Sequence, residues 1–371
     1  MRIGIDTHFI TSAHATGNRT YTAELVRALI AIGQQHEYVL YAVSDHPYYH
    51  QFAGNPRVQV RQVLSASGLA RNFVSLPKAI AQDSLDVVHL QFILPWLIRI
   101  PTLLAVHDLY YLQQSGPALY ERLIGKLTAW SVQRARYIVT LSEYSRLDII
   151  AKCSVREDRV TTVPGAIDRR FAPVSDPAVV QSLREKLGIK RDYVLFVGRT
   201  EDSRKNIASL LDAYIRLRSQ GQITEQLVIA GRHGPGTALL QAKVQSAGLG
   251  ADVLFPGVIS DPDLPILMTG AKLFVYVSSF EGFGLPVLEA MACATPVITS
   301  NTTSLPEVAG DAALCVTPGN VDELTEAMQQ VLQNVEMQKQ LREWGLQRAK
   351  LFSWERAARE TLAIYEKIGL S

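Results

Sequence analysis

Short runs of apolar, β-branched and aromatic residues recur along the first part of the chain, at residues 2–6, 38–43, 58–63, 86–90, 103–107 and 137–141. Longer segments separate them, and the one from about Tyr21 to Ile32 has helical periodicity. Runs this continuously apolar suit strands buried on both faces, and their alternation with helices predicts a parallel, doubly wound sheet. A fresh alternation begins at residues 193–199 and continues through 226–230, 253–255, 273–277, 297–299 and 313–316. Between the two series, Val163-Pro164-Gly165-Ala166-Ile167-Asp168 and the charged stretch to Pro177 have the composition of a linker, which places the boundary near Phe171. The fold class expected is α/β, with two Rossmann-like doubly wound parallel-sheet domains, 1–171 and 172–352. The tail reads as helices at 321–332, 336–351 and 354–368, with Ser353 as N-cap of the last.

Chemistry concentrates where strand turns to helix. In Ser279-Phe280-Glu281-Gly282-Phe283-Gly284-Leu285-Pro286-Val287-Leu288-Glu289, an apolar strand gives way to a glycine turn and then to a helix whose first turn tolerates Pro286. A helix start exposes unpaired N–H groups, and glycines let an anion approach them closely, so a diphosphate fits there. Glu281 and Glu289 would repel phosphate but accept hydrogen bonds from sugar and ribose hydroxyls, each worth roughly 1.5–3 kcal/mol. Taken alone, the two also fit a solvated Glu289 and a Glu281 that favours the helix dipole. The turn Gly198-Arg199-Thr200-Glu201-Asp202-Ser203-Arg204-Lys205-Asn206 sets Arg199 at a strand end and Lys205 at the next helix start. These two cations suit a leaving diphosphate, or are solvated loop charges. Neither opening turn carries G-x-G-x-x-G, which removes the main support for a nicotinamide or flavin site.

Composition narrows the classes. A chain of 371 residues exceeds the size at which one core keeps growing, and 47% hydrophobic with 19% charged residues excludes disorder. A net charge of +2 gives no support to nucleic-acid binding. Cys153, Cys293 and Cys315 are scattered through apolar segments, which points to a reducing compartment and away from a thiolate metal site. The start, Met1-Arg2-Ile3-Gly4-Ile5-Asp6, enters a strand directly and lacks a signal-peptide core, so a cytoplasmic location is expected. The greasiest window, residues 92–106, is interrupted by Pro95, Arg99 and Pro101 and is shorter than the roughly 20 residues a spanning helix needs. Its segment 93–98 fits packing between domains or a peripheral contact with the cytoplasmic face of a membrane. Asp261-Pro262-Asp263 spells D-x-D but precedes a helix and reads as a cap, so no metal is expected.

Gly198-Arg199 through Lys205-Asn206, the E-x7-E from Glu281 to Glu289, Pro296-Val297, Asn301 to Val308, and His107-Asp108-Leu109 together resemble the retaining glycosyltransferases of family 4. Within that family the likeness is to the mannosyltransferase B type of O-antigen and polysaccharide synthesis, and it covers essentially the whole chain. The resemblance implies the glycosyltransferase B architecture. Two domains would face each other across a cleft, with the acceptor mainly on the first, the donor on the second, and helix 353–371 packing back on the first.

It also implies transfer of a hexose from a nucleotide sugar to a saccharide or lipid-linked acceptor. Mannose from GDP-mannose is the expected donor and a UDP-sugar the other, with no cofactor required. Arg199, Lys205 and the Phe283-Gly284-Leu285 backbone would hold the diphosphate, Glu281 the sugar, Glu289 the ribose, and the Val258-Ile259 segment the base. His107 would lie against the sugar or the acceptor; taken alone, a histidine at a strand end also fits a structural role. Relatives place two glycines where this chain has Thr16-Gly17-Asn18-Arg19-Thr20-Tyr21, so in this loop only Gly17 carries over, and Arg19 fits either a clamp or a solvated charge. No carboxylate presents itself as a nucleophile, which favours a front-face reaction. Two alternatives share the architecture: a nucleotide-sugar-binding protein without transferase activity, and an epimerase needing acid/base residues not found here. The sequence carries no signal for an oligomeric state.

Overall fold

The computed structural model describes residues 1–11, 16–113 and 119–369, and the chain divides into two units. One comprises Met1–Ala166 together with the chain from Ser353 onward; the other is Ile167–Phe352.

The sheet of the first unit contains β1 (Arg2–Asp6), β2 (Glu37–Ala42), β3 (Val58–Gln62), β4 (Val87–Gln91), β5 (Thr102–Ala105), β6 (Tyr137–Thr140) and β7 (Val160–Thr162), in the order β3-β2-β1-β4-β5-β6-β7. All neighbours are parallel; Ile3 of β1 stands opposite Tyr38 on one side and Val87 on the other. The second sheet contains β8 (Tyr193–Val197), β9 (Gln226–Ala230), β10 (Val253–Gly257), β11 (Leu273–Tyr276), β12 (Val297–Ser300) and β13 (Leu314–Val316), in the order β10-β9-β8-β11-β12-β13. Both are doubly wound, as the hydrophobic pattern requires. Strand order reverses between β1 and β4 in one unit and between β8 and β11 in the other. Every residue of β4, β9 and β11 is buried, which explains why these strands read as continuous rather than alternating apolar runs.

The helix expected from about Tyr21 begins at Thr16 and runs to Ile32, so the loop assigned to residues 16–21 is corrected to helical turns. Its polar residues are compatible with a helical first turn, and the Thr22 hydroxyl bonds back to the Asn18 carbonyl at 2.7 Å. The short edge strand β7 lies outside the expected set; three residues are too few to show periodicity. In the last helix, Trp354–Gly369, the Ser353 hydroxyl accepts from Arg356 N at 3.1 Å. This helix packs on Thr16–Ile32: the Trp354 ring meets Tyr21 edge-on at 6.1 Å, and the Tyr365 hydroxyl pairs with His89 Nδ1 at 2.6 Å. Leu362 and Ile368 are buried beside them, each contributing roughly 1.5–3 kcal/mol.

Candidate functional site

Open α/β sheets bind ligands beyond the carboxyl ends of the strands where the order reverses. In the second unit that point lies between β8 and β11, and the two turns singled out from the sequence leave those strands. Lys205 closes the 3-10 turn Ser203–Lys205 after β8, and Glu281 lies in the turn after β11. Lys205 Nζ is ion-paired with Glu281 Oε1 and hydrogen-bonded to the Tyr276 hydroxyl at 2.6 Å. That hydroxyl donates in turn to Glu281 Oε1 at 2.9 Å, and the ammonium stands 4.9 Å from the centroid of the same ring. The Lys205 and Glu281 side chains are only 11% and 15% exposed. Burial and the Glu281 charge push the Tyr276 phenol well above its ordinary range, so it remains a donor.

The two turns are stitched together. Asn206 sits in the left-handed region at φ 49° and donates from Nδ2 to Val277 O at 2.9 Å, while Ser279 N donates to Arg204 O at 2.8 Å. The Ser304 hydroxyl lies 2.9 and 2.8 Å from the carbonyls of Glu281 and Phe283 and pins the glycine turn from below. Gly284 has φ 114°, and a Cβ there would come within 2.6 Å of Leu305 Cδ2, so only glycine serves. The helix Leu285–Ala292 follows; Val287 N and Leu288 N both turn to the Gly284 carbonyl, at 3.1 and 3.4 Å.

Arg199 is linked to this cluster less tightly. Its side chain is 47% exposed and reaches Asp202 Oδ2 at 3.3 Å. Asp202 is held mainly by Arg204, at 2.8 Å from Nε and 2.6 Å from Nη2. Burial would raise the Asp202 carboxyl, but the Arg204 bonds and the charges of Arg204, Lys205 and Arg199 hold it below its ordinary range. Glu289 is half-buried in the helix Leu285–Ala292, and burial pushes its carboxyl up to about 7, with Arg170 pulling down and Asp168 and Asp261 pushing up. Val258 and Ile259 follow the edge strand β10, where Val258 is 73% exposed. The Asp261-Pro262-Asp263 cap is corrected: the helix starts at Asp263, and its N–H is accepted by Ser260 Oγ at 3.3 Å. The two carboxylates are drawn instead to cations, Asp261 to Arg170 at 3.2 Å and Asp263 to Lys186 at 2.9 Å. Among the described residues no group of three histidine, cysteine or acidic side chains is placed to hold a metal.

In the first unit His107 lies two residues beyond β5, buried between the rings of Tyr21 at 4.4 Å and Phe92 at 5.3 Å. Its Nε2 is 3.4 Å from Gln91 Oε1, and Gln91 Nε2 donates to Thr22 Oγ1 at 2.8 Å. His107 Nδ1 has no partner among the described residues. Burial, reinforced by His89, pushes the imidazole down to about 3, so it acts as a neutral ring at physiological pH. Gly17 and Arg19 are exposed in the first turns of their helix, and a Cβ at Gly17 would meet nothing within 4 Å. Sequence reasoning missed Tyr276, Asn206, Asp202 and Ser304. Tyr276 had a signal, a polar-tipped aromatic at the last position of an otherwise apolar strand.

A family model described as Glycosyltransferase Family 4 matches residues 15–171, and one described as Glycosyl transferases group 1 matches residues 179–348. The chain is 36% identical over 236 residues to the O-antigen chain mannosyltransferase B of Escherichia coli, covering 64% of this chain and 62% of that protein. It is 31% identical over 272 residues to the serotype-specific mannosyltransferase WbdA of Escherichia coli, covering 71% of this chain and 32% of that protein. The chain therefore spans under two thirds of the length of either relative. In fold it resembles a crystallised glycosyltransferase from Rickettsia africae ESF-5, with a TM-score of 0.78 at 16% identity, covering 99% of this chain and 98% of the other.

Proposed function

Because the chain belongs to the glycosyltransferases, with a family 4 domain followed by a group 1 domain, we propose that it moves a hexose from a nucleotide-sugar donor to a saccharide or lipid-linked saccharide acceptor. The donor is GDP-mannose; the mannosyltransferases among its relatives support that choice. The observation that carries the proposal is the Lys205–Tyr276–Glu281 cluster, set at a switch point beside the start of the helix Leu285–Ala292.

In this reading Lys205, Arg199 and the Phe283-Gly284-Leu285 backbone receive the diphosphate, Glu281 takes sugar hydroxyls, Glu289 the ribose diol, and Val258 and Ile259 flank the base. His107, a neutral ring with a free Nδ1 lone pair or N–H, contacts the sugar or the acceptor. The reaction is front-face and retaining. The acceptor oxygen bonds to the anomeric carbon as the bond to phosphate breaks, and the leaving phosphate oxygen takes the acceptor's proton. Lys205, Arg199 and the helix start stabilise charge gathering on the diphosphate, a preorganised contribution of several kcal/mol that needs no metal. Trp96 and Leu97, 60% and 66% exposed, support peripheral contact with the cytoplasmic face of a membrane.

The test is thermal stabilisation by GDP, UDP, ADP and dTDP and their sugars, in EDTA and then in magnesium, followed by transfer assays with the stabilising donor. A ligand at about 100 times its Kd adds roughly 2.7 kcal/mol. A shift with GDP-mannose that survives EDTA is the expected result; no shift with any nucleotide overturns the proposal.

A further inference from the structure

Three buried side chains of the first unit hold one another in a single protonation pattern. Thr22 lies in the helix Thr16–Ile32, Gln91 ends β4, and His107 stands two residues beyond β5. Thr22 Oγ1 is 2.7 Å from the Asn18 carbonyl, and a carbonyl only accepts, so the one hydroxyl proton points there. What the hydroxyl offers Gln91 is therefore a lone pair, and the Gln91 atom 2.8 Å away is the amide nitrogen, donating. That turns the amide oxygen to His107, 3.4 Å from Nε2. Two lone pairs would repel each other there, so Nε2 carries the proton. Burial keeps the imidazole neutral, which leaves the lone pair on Nδ1.

Nδ1 is enclosed, and among the described residues none donates to it. A buried acceptor without a donor is destabilising, and an apolar side chain of similar size would avoid that cost. The ring is nevertheless held on every side. Tyr21 and Phe92 meet it edge-on at 4.4 and 5.3 Å, and the Ser145 hydroxyl donates to the His107 carbonyl at 3.0 Å. Phe92 keeps its place at φ 60°, a costly conformation for an aromatic residue. A ring fixed in rotation, main chain and tautomer, with one lone pair unanswered, is built for a hydrogen bond that the free protein lacks.

We propose that Gln91 and Thr22 are positioning residues for His107, holding it as the Nε2–H tautomer so that Nδ1 accepts a hydrogen bond from a hydroxyl of the bound substrate. The assignment rests on the transferase reading and deepens it, because it turns a ring able to donate or accept into one that only accepts. A sugar hydroxyl can answer that lone pair. An ionised phosphate oxygen brings lone pairs of its own and is repelled, so the side chain favours the sugar part of a ligand over its phosphates.

Protein labelled with 15N-histidine tests the proposal, read in the free state and during titration with GDP-mannose, methyl α-mannoside and α-linked mannobiose. His107 is expected as the Nε2–H tautomer, with its Nδ1 resonance moving as a sugar ligand binds. An Nδ1–H tautomer, or an Nδ1 resonance that none of the three ligands moves, overturns the proposal. Thr22→Val removes the hydroxyl and nearly keeps the shape, which frees the Gln91 amide to turn. A population of Nδ1–H should then appear, and kcat/KM should fall roughly three- to tenfold, the worth of one neutral hydrogen bond. Thr22→Ser keeps the hydroxyl and should keep the tautomer. A folded Thr22→Val protein with the wild-type tautomer, or with an altered tautomer and kcat/KM within about twofold of wild type, overturns the positioning role. Should Thr22→Val fail to fold, Gln91→Met removes the amide at similar length and is judged by the same two readouts. If GDP and GDP-mannose fail to stabilise the wild type, the transferase reading falls, and the free-state tautomer and its response to Thr22→Val still judge the positioning.

Discussion

Replacing Lys205 by alanine should separate phosphate recognition from the rest of the proposed donor site. An ammonium has three N–H donors, and in the free protein Glu281 and Tyr276 engage two of them, leaving one for an incoming diphosphate. Losing a charge-assisted hydrogen bond costs roughly 1.5–3 kcal/mol, or about 10- to 150-fold in Kd. A second cost follows, because Glu281, 15% exposed, would then face the diphosphate without its cation. Together these place the single variant at about 100-fold weaker GDP binding or beyond, with Lys205→Ala/Glu281→Gln recovering to about tenfold as the repulsion disappears. The loss in fold stability should stay below the roughly 3–5 kcal/mol of a fully buried broken pair, since both partners retain some solvent contact. Calorimetric titration with GDP and guanosine in parallel, with melting curves for each variant, reads all three quantities. Guanosine should bind every variant within about twofold. Equal weakening of GDP and guanosine, or a GDP loss under about threefold, would refute the phosphate role, and a double variant no better than the single would refute the repulsion step.

Glu289 should make GDP-mannose binding depend on pH. Ribose hydroxyls favour the ionised carboxylate, so affinity should fall by up to about tenfold per pH unit below its pKa near 7, and Glu289→Gln should flatten the profile. The same raised pKa stabilises the fold below the unfolded value of about 4.5 and loses that contribution as pH rises towards 7, a slope of up to about 1.4 kcal/mol per unit that melting curves of Glu289→Gln should lack. Gly284→Ala forces a side chain into a positive φ and against Leu305, so it should cost about 2 kcal/mol or more and abolish GDP binding, as chemical denaturation and titration would show. Gly17→Ala meets open space in a helical turn and should leave stability unchanged or raised by up to about 1 kcal/mol; weaker donor binding by that folded variant would give Gly17 the contact its family position suggests. Glu281→Gln should narrow the Kd ratio between GDP and GDP-mannose about tenfold, the worth of one charged hydrogen bond to the sugar, and an unchanged ratio would remove Glu281 from sugar recognition.

Sheet topology was legible because parallel strands buried on both faces, such as 226–230, announce themselves as unbroken apolar runs. The three-residue β7 was not legible, since an edge pairing so short is decided by its neighbour β6 rather than by its own residues. The helix start at Thr16 was misplaced because its first turns are polar and lack the apolar period that signals a helix. Of the candidate site, the residues carried by spacing along one turn were readable: the glycine turn, Glu281 and Lys205. Those defined by contact across turns were not. Tyr276 meets Lys205 from a different strand, Ser304 reaches the Glu281 turn from beyond β12, and Asp202 matters through Arg204, which the sequence presents as one more loop cation. The buried pairing of Asp6 with Arg71 spans 65 residues, and no local pattern encodes it.

In the proposed donor site the pairing of Lys205 with Glu281 would bear on selectivity as well as affinity. A bare lysine at a helix start would attract any phosphate, and nucleotides and inorganic phosphate would compete there on equal terms. In the proposed site an anion would take the third N–H of the ammonium while Glu281, only 15% exposed, keeps its own, so a ligand bringing phosphate alone would set its charge beside a carboxylate that water reaches poorly. A ligand that brings hydroxyls beside its phosphate would offset that repulsion with hydrogen bonds to the carboxylate. Glu281 Oε2 has no partner among the described residues, so it is open to such hydroxyls while Oε1 keeps its bonds from Lys205 and from the protonated Tyr276 phenol. On the proposed donor reading the ion pair would therefore act against partial ligands, the discrimination coming from repulsion between a bare phosphate and the carboxylate rather than from extra contacts to the preferred ligand.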